Sequence, residues 1–151
     1  LKNLLKAFQK LFSGAADEAP PADAVPGAVA TLLAEVARVD HDVKDADLAA
    51  AREALQQLFA LDPEQADAML AHALRLENRP TSYHSIVSTL NRSLSMPDKV
   101  RLVEFLWRVA HVDREIDMYE DHLVRKISDL LYLSHSDFIS ARQRAKTGRG
   151  P

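Results

Sequence analysis

Large apolar residues recur every three or four positions along most of this chain, which is the spacing of one face of a helix. Val29, Leu32, Leu33, Val36 and Val39 predict a helix that opens near Gly27. Leu48, Ala51, Leu55, Leu58 and Phe59 predict the next. Asp62-Pro63-Glu64-Gln65 is a start signal for a third, with Asp62 as N-cap, Pro63 in the first turn and Gln65 three places after the cap. Ala66, Met69, Leu70, Ala73, Leu74 and Leu76 supply its apolar face. After a loop at Arg79-Pro80-Thr81-Ser82, a shorter helix runs from about Tyr83 to about Leu94. Ser95-Met96-Pro97-Asp98 opens another, lined by Val100, Val103, Leu106, Trp107 and Ala110. Leu123, Val124, Ile127, Leu130 and Leu131 mark the sixth, and Ser134 to Asp137 is a capping box for the last, which ends near Ala145. No segment alternates with the period of two that a half-buried strand requires. The expected fold is all-α: one compact domain of about seven core helices.

The two ends differ from this body. Residues 1–12 place Leu1, Leu4, Leu5, Phe8, Leu11 and Phe12 on one face and Lys2, Lys6 and Lys10 on the remainder, forming a short basic amphipathic helix. Such a helix packs on the domain or a partner, or lies on an anionic membrane surface. Its lysines interrupt the apolar run, so it is not expected to be a signal peptide. Residues 13–26 contain three prolines and few large apolar groups, the composition of a tether. The organisation is therefore 1–26 helix and tether, 27–146 helical domain, and 147–151 a loose tail.

One pattern occurs twice. Val36-Ala-Arg-Val-Asp-His-Asp-Val-Lys-Asp-Ala-Asp47 is echoed 73 positions later by Val109-Ala-His-Val-Asp-Arg-Glu-Ile-Asp-Met-Tyr-Glu120. Arg52 and Leu58 recur as Arg125 and Leu131. The domain is thus expected to consist of two related helical repeats that bury a face against each other. The repeat also selects the acids of interest. Asp40 and Asp113 fall where a helix ends, at the negative pole of its dipole, where a carboxylate is unfavourable. Asp47 and Glu120 fall where the next helix begins, where an acid is favourable. A divalent cation would resolve the misplaced pair. Helix-end carbonyls with Asp40, Asp47, Asp113 and Glu120, and with Asp42 and Glu115 as supplementary donors, form an oxygen-rich set suited to Ca²⁺, Mg²⁺ or Mn²⁺ more than to Zn²⁺. The other reading is structural: Asp40 and Asp113 accept bonds from N–H groups of the turn, with Arg52 and Arg125 neutralising them. Counted from Asp40 or Asp113, the glycine and final glutamate of an EF-hand are missing.

Composition removes several chemistries. With no cysteine there are no disulfides, no thiolate metal sites and no thiol redox steps. A net charge of −3 gives no global attraction to nucleic acid, and the basic stretch Arg142, Arg144, Lys146 and Arg149 is expected to be a solvated face. There is no glycine-rich phosphate loop and no nucleophile elbow. His41, His111 and His122 occupy non-equivalent places in the two copies and are expected at the surface, whereas Trp107 is expected in the core.

The doubled element resembles the TerB family of tellurite-resistance proteins, in which a helix ends in Ala-Asp-Gly-Glu-Ile or a similar run and an acid follows a few residues on. Val109 to Glu120, with Leu106-Trp-Arg-Val-Ala110 before it and Arg125-Lys-Ile-Ser-Asp-Leu-Leu131 after it, carries the resemblance most closely. Val39-Asp-His-Asp-Val43 with Asp47 is a looser match. The likeness spans about residues 28–145 and extends to the N-terminal domain of the co-chaperone DjlA. It implies a non-enzymatic bacterial stress-response module, with metal ions held by Asp40, Asp47, Asp113 and Glu120 and action through protein partners. The family's glycine after the Asp is His41 in one copy and Arg114 in the other, so the turn differs there. The expected location is cytoplasmic, with membrane association through residues 1–12 as the rival: a peripheral adaptor whose acids are only structural. Direct reduction of tellurite is not expected without thiols.

Overall fold

A computed structural model describes residues 24–39, 42–111 and 118–147, together with the backbone but not the side chains of His111 and Met118. These residues form seven α-helices and no strand. In chain order they are α1 (Ala24–Ala37), α2 (Asp45–Phe59), α3 (Pro63–Leu74), a 3₁₀ turn (Leu76–Asn78), α4 (His84–Ser93), α5 (Met96–His111), α6 (Met118–Leu130) and α7 (His135–Thr147). The amphipathic stretch 1–12 and the tail 148–151 lie outside the described residues.

Helix α1 is the axis of the domain. Its sequence is apolar on every side apart from Thr31 and Glu35, and all of its residues are buried. A helix that is hydrophobic all round must be enclosed. Here α2, α3, α4 and α5 each pack against it, with α6 in lesser contact. The described helix takes in Ala24, three residues before the expected start at Gly27, and residues 13–23 of the expected tether lie outside the described residues. Pro26 is tolerated because first-turn N–H groups have no intrahelical acceptor. The buried Thr31 hydroxyl donates to the Gly27 carbonyl at 3.0 Å.

The other helices follow their start signals. Gln65 N–H donates to Asp62 Oδ1 at 2.8 Å, and Asp62 N–H donates back to Gln65 Oε1 at 3.1 Å, a complete capping box. Ser95 and Ser134 accept from Asp98 N–H and Asp137 N–H at 3.3 and 3.0 Å. Helix α3 stops at Leu74, so Leu76 is not on its apolar face; it sits in the 3₁₀ turn, 79% exposed. Helix α6 ends with Tyr132 at φ 67°, where Leu133 N–H reaches back to the Ser128 carbonyl at 3.2 Å. This C-terminal motif ordinarily takes glycine.

The second half of the core centres on Trp107, fully buried in α5 as expected. Its ring centroid lies 5.5 Å from that of Phe138 on α7, and the Arg142 guanidinium stacks over it at 5.2 Å. Arg144 pairs with Glu104 at 2.8 Å. Part of the basic C-terminal stretch therefore fastens α7 to α5.

Replacing Leu33 by alanine should cost about 3 kcal/mol, because α1 is surrounded and the cavity cannot collapse. Denaturant unfolding would show a lower midpoint with an unchanged slope.

Candidate functional site

The helices that follow the two acidic stretches start at corresponding places of the sequence pattern. Helix α2 starts at Asp45 and α6 at Met118, 73 positions apart. Asp47 and Glu120 are each the third residue of their helix, and both are buried, 4% and 2% exposed. At the third position a carboxylate meets the positive pole and can reach the free N–H groups of the first turn. Asp47 does so, accepting from Lys44 N–H at 3.0 Å. Burial of both acids exceeds what capping demands, since N-terminal acids usually stay in water.

Of the other acids singled out, Asp42 is exposed. Asp40, Asp113 and Glu115 lie outside the described residues, as do His41 and the His111 side chain. His122 is exposed, as expected. Among the described residues no three or more His, Asp or Glu side chains gather closely enough to hold a metal ion. Each repeated arginine meets an acid among the described residues. Arg52 binds Asp67 at 2.9 Å. Arg125 lies 3.8 Å from Asp121 and stacks on Phe138, 4.8 Å from the ring centroid.

Beside Glu35 the fold leaves a cleft of about 840 Å³. Val39 and Val43, on either side of the first turn, form part of its wall. Tyr119, next to Glu120, and Leu123 contribute from α6, and Leu74 and Leu76 from the end of α3 and the 3₁₀ turn. Leu76 and Tyr119 are large and strongly exposed, 79% and 74%.

The charged part of the cleft is a network centred on Glu35, the one charged residue of α1, which is 4% exposed. Arg79 grips it with two bonds, Nε to Oε2 at 3.1 Å and Nη2 to Oε1 at 2.9 Å. The Tyr83 hydroxyl donates to Oε1 at 3.1 Å. Arg38, one turn along α1, places Nη1 3.5 Å from Oε2 and donates from Nη2 to the Ala73 carbonyl at 2.9 Å. Burial pushes the Tyr83 phenol up to about 12, and Glu35, as neighbour and as acceptor, pushes the same way. The bond to Glu35 raises Arg79 above the usual guanidinium range. Burial lowers Arg38; Glu35 opposes this and Arg79 adds to it.

Glu35 left a signal in the sequence: a lone acid in an otherwise apolar helix, beside Val36 on the buried face. Charged residues are almost never fully buried without a partner. Nothing local indicates that the partners are Arg79 and Tyr83, 44 and 48 residues away.

A family model described as tellurite resistance protein TerB matches residues 27–143, a span that takes in both acidic turns and nearly all of the described fold. No curated protein and no solved structure matches the chain.

Removing Glu35 should be costly. Glu35→Ala leaves Arg38 charged and nearly buried without its counter-ion, and about 3 kcal/mol or more of stability should be lost in chemical denaturation. The Tyr83 phenol should ionise late. Because its folded value lies above the ordinary 10.0, its contribution to stability is complete below pH 10 and fades as pH rises toward about 12. Absorbance of tyrosinate should show a late phase that Tyr83→Phe deletes.

Proposed function

The chain belongs to the TerB family, and on that premise we propose that it is a non-enzymatic helical module that binds divalent cations at its two acidic turns and acts through protein partners. The observation that carries this reading is the placement of Asp47 and Glu120: the same third helical position after each turn, both carboxylates buried. Asp40 and Asp113 follow closely on the ends of α1 and α5, where free carbonyl oxygens gather. On this reading each turn would draw oxygen donors from one helix end, one loop and the next helix start.

The donor chemistry fits a hard cation. The acids of the turns offer oxygen only, and no cysteine is present to favour a soft metal. Asp40 and Asp47 would hold one ion and Asp113 and Glu120 another, with Asp42 and Glu115 as supplementary donors. Ca²⁺, Mg²⁺ and Mn²⁺ suit this set better than Zn²⁺. A bound ion would supply positive charge at the negative pole of α1 and of α5, where Asp40 and Asp113 are otherwise unfavourable. The ion's role is to fix the conformation of the turns, and so the surface offered to a partner. No helix among the described residues is long and apolar enough to cross a membrane.

Melting the metal-free protein with Ca²⁺, Mg²⁺, Mn²⁺ and Zn²⁺ tests the proposal. An ion present at 100 times its Kd adds about 2.7 kcal/mol to folding, which for a domain of this size raises Tm by about 5–10 °C. Asp47→Asn combined with Glu120→Gln should remove most of the rise and leave the helical circular dichroism intact. Identical melting in all four ions and in chelator would leave the acids with a structural role only.

A further inference from the structure

We infer that the cleft beside Glu35 is the docking groove for residues 1–12 of this same chain, which enter it as an amphipathic helix with their apolar face on Leu76 and Tyr119 and with Lys2, Lys6 and Lys10 toward the acidic chain around it. The inference does not rest on the cation reading; it stands on apolar surface, charge and reach.

The apolar surfaces match. Val39, Val43, Leu74, Leu76, Tyr119 and Leu123 make the apolar wall of the cleft. Leu76 and Tyr119 hold large apolar surfaces in water there, where an apolar helix face would cover them. Residues 1–12 set Leu1, Leu4, Leu5, Phe8, Leu11 and Phe12 at helical spacing. That is the pattern of anchors three, four and seven places apart with which an amphipathic helix enters an apolar groove. So short a helix is marginal alone in water, and a groove would hold it.

Charge favours a basic occupant. Apart from Glu35 and Tyr83, the wall comes from three stretches of chain, 38–45, 74–79 and 112–123. By sequence these carry nine acids against five lysines and arginines, and Glu35 adds one more acid. The count takes in every residue of the three stretches, so it does not depend on where a side chain points. Residues 1–12 carry three lysines and no acid. Opposite signs draw the segment in and set its orientation. Reach allows the contact. Helix α1, Ala24–Ala37, is about 21 Å long, and Glu35 and Arg38 put the cleft at its far end. Residues 13–23 span up to about 36 Å when extended, enough to return residues 1–12 to that end. A tether of this length keeps the segment near the cleft at an effective concentration of order millimolar, so weak docking suffices.

The chain has no cysteine, so one introduced thiol carries a nitroxide spin label at a single place. Asn3→Cys, on the polar side of residues 1–12, is labelled in the full chain, and amide NMR relaxation is read in chelator so that no divalent ion takes part. Broadening is expected at Val39, Leu76, Tyr119 and Leu123, and it should be unchanged when the labelled, isotope-enriched chain is diluted with plain chain. High salt should weaken it, since the lysines are screened. Leu76→Lys, at an exposed position that does not threaten folding, and separately Leu4→Glu with Phe8→Glu, should each abolish it. Absence of broadening at the cleft, or broadening unchanged in Leu76→Lys, would overturn the assignment. So would broadening that disappears on dilution with plain chain, which would put the segment of one copy on another. A segment that leaves the cleft amides sharp and responds only to vesicles of anionic lipid would assign it to a membrane instead.

Discussion

The constraint on which this domain turns is the burial of a carboxylate inside a helix that has no water around it. Helix α1 is enclosed along its whole length, and Glu35 is enclosed with it. A charge in that position is tolerable only if donors surround it, because the desolvation cost of an unpaired buried ion is several kcal/mol. Arg79 and Tyr83 meet the demand from outside the helix, and Arg38 from the next turn. Their engagement pins the segment between α3 and α4 against the end of α1. Arg38 adds a second tie, to the last turn of α3 through the Ala73 carbonyl. The cleft exists because these polar groups hold that segment in place while Leu74 and Leu76 stand along its wall.

Helix ends organise the rest. Each acidic turn leaves the negative end of one helix and enters the positive end of the next within a few residues. Acids at the entry, Asp47 and Glu120, lie at a favourable pole and are drawn inward. Acids at the exit, Asp40 and Asp113, have no such explanation from helix physics. This asymmetry makes the turns candidates for cation binding, and it distinguishes them from the scattered surface acids of α2 and α3. Among the described residues, Arg52 pairs with Asp67, and Arg125 with Asp121 and the Phe138 ring.

The cleft lies where these two systems meet. Val39 and Val43 flank the first turn, and Tyr119 stands beside Glu120 in the first turn of α6, so residues that flank both acidic stretches reach the wall built around Glu35.

Much of the fold is legible in the chain without its structure. Helical spacing locates all seven helices, and local chemistry sets several of their starts, because a cap such as Asp62 with Gln65 involves residues three apart and owes nothing to the remainder of the protein. The repeated pattern singles out Asp47 and Glu120 for the same reason: position relative to a helix end is a local property. Tertiary structure decided what depends on distant residues. It moved Leu76 from an apolar face to an exposed turn, and it drew Arg144 of the basic C-terminal stretch onto Glu104. Above all it joined Glu35 to Arg79 and Tyr83, because a buried charge signals only that it needs a partner, and which partner reaches it is settled by how the helices pack.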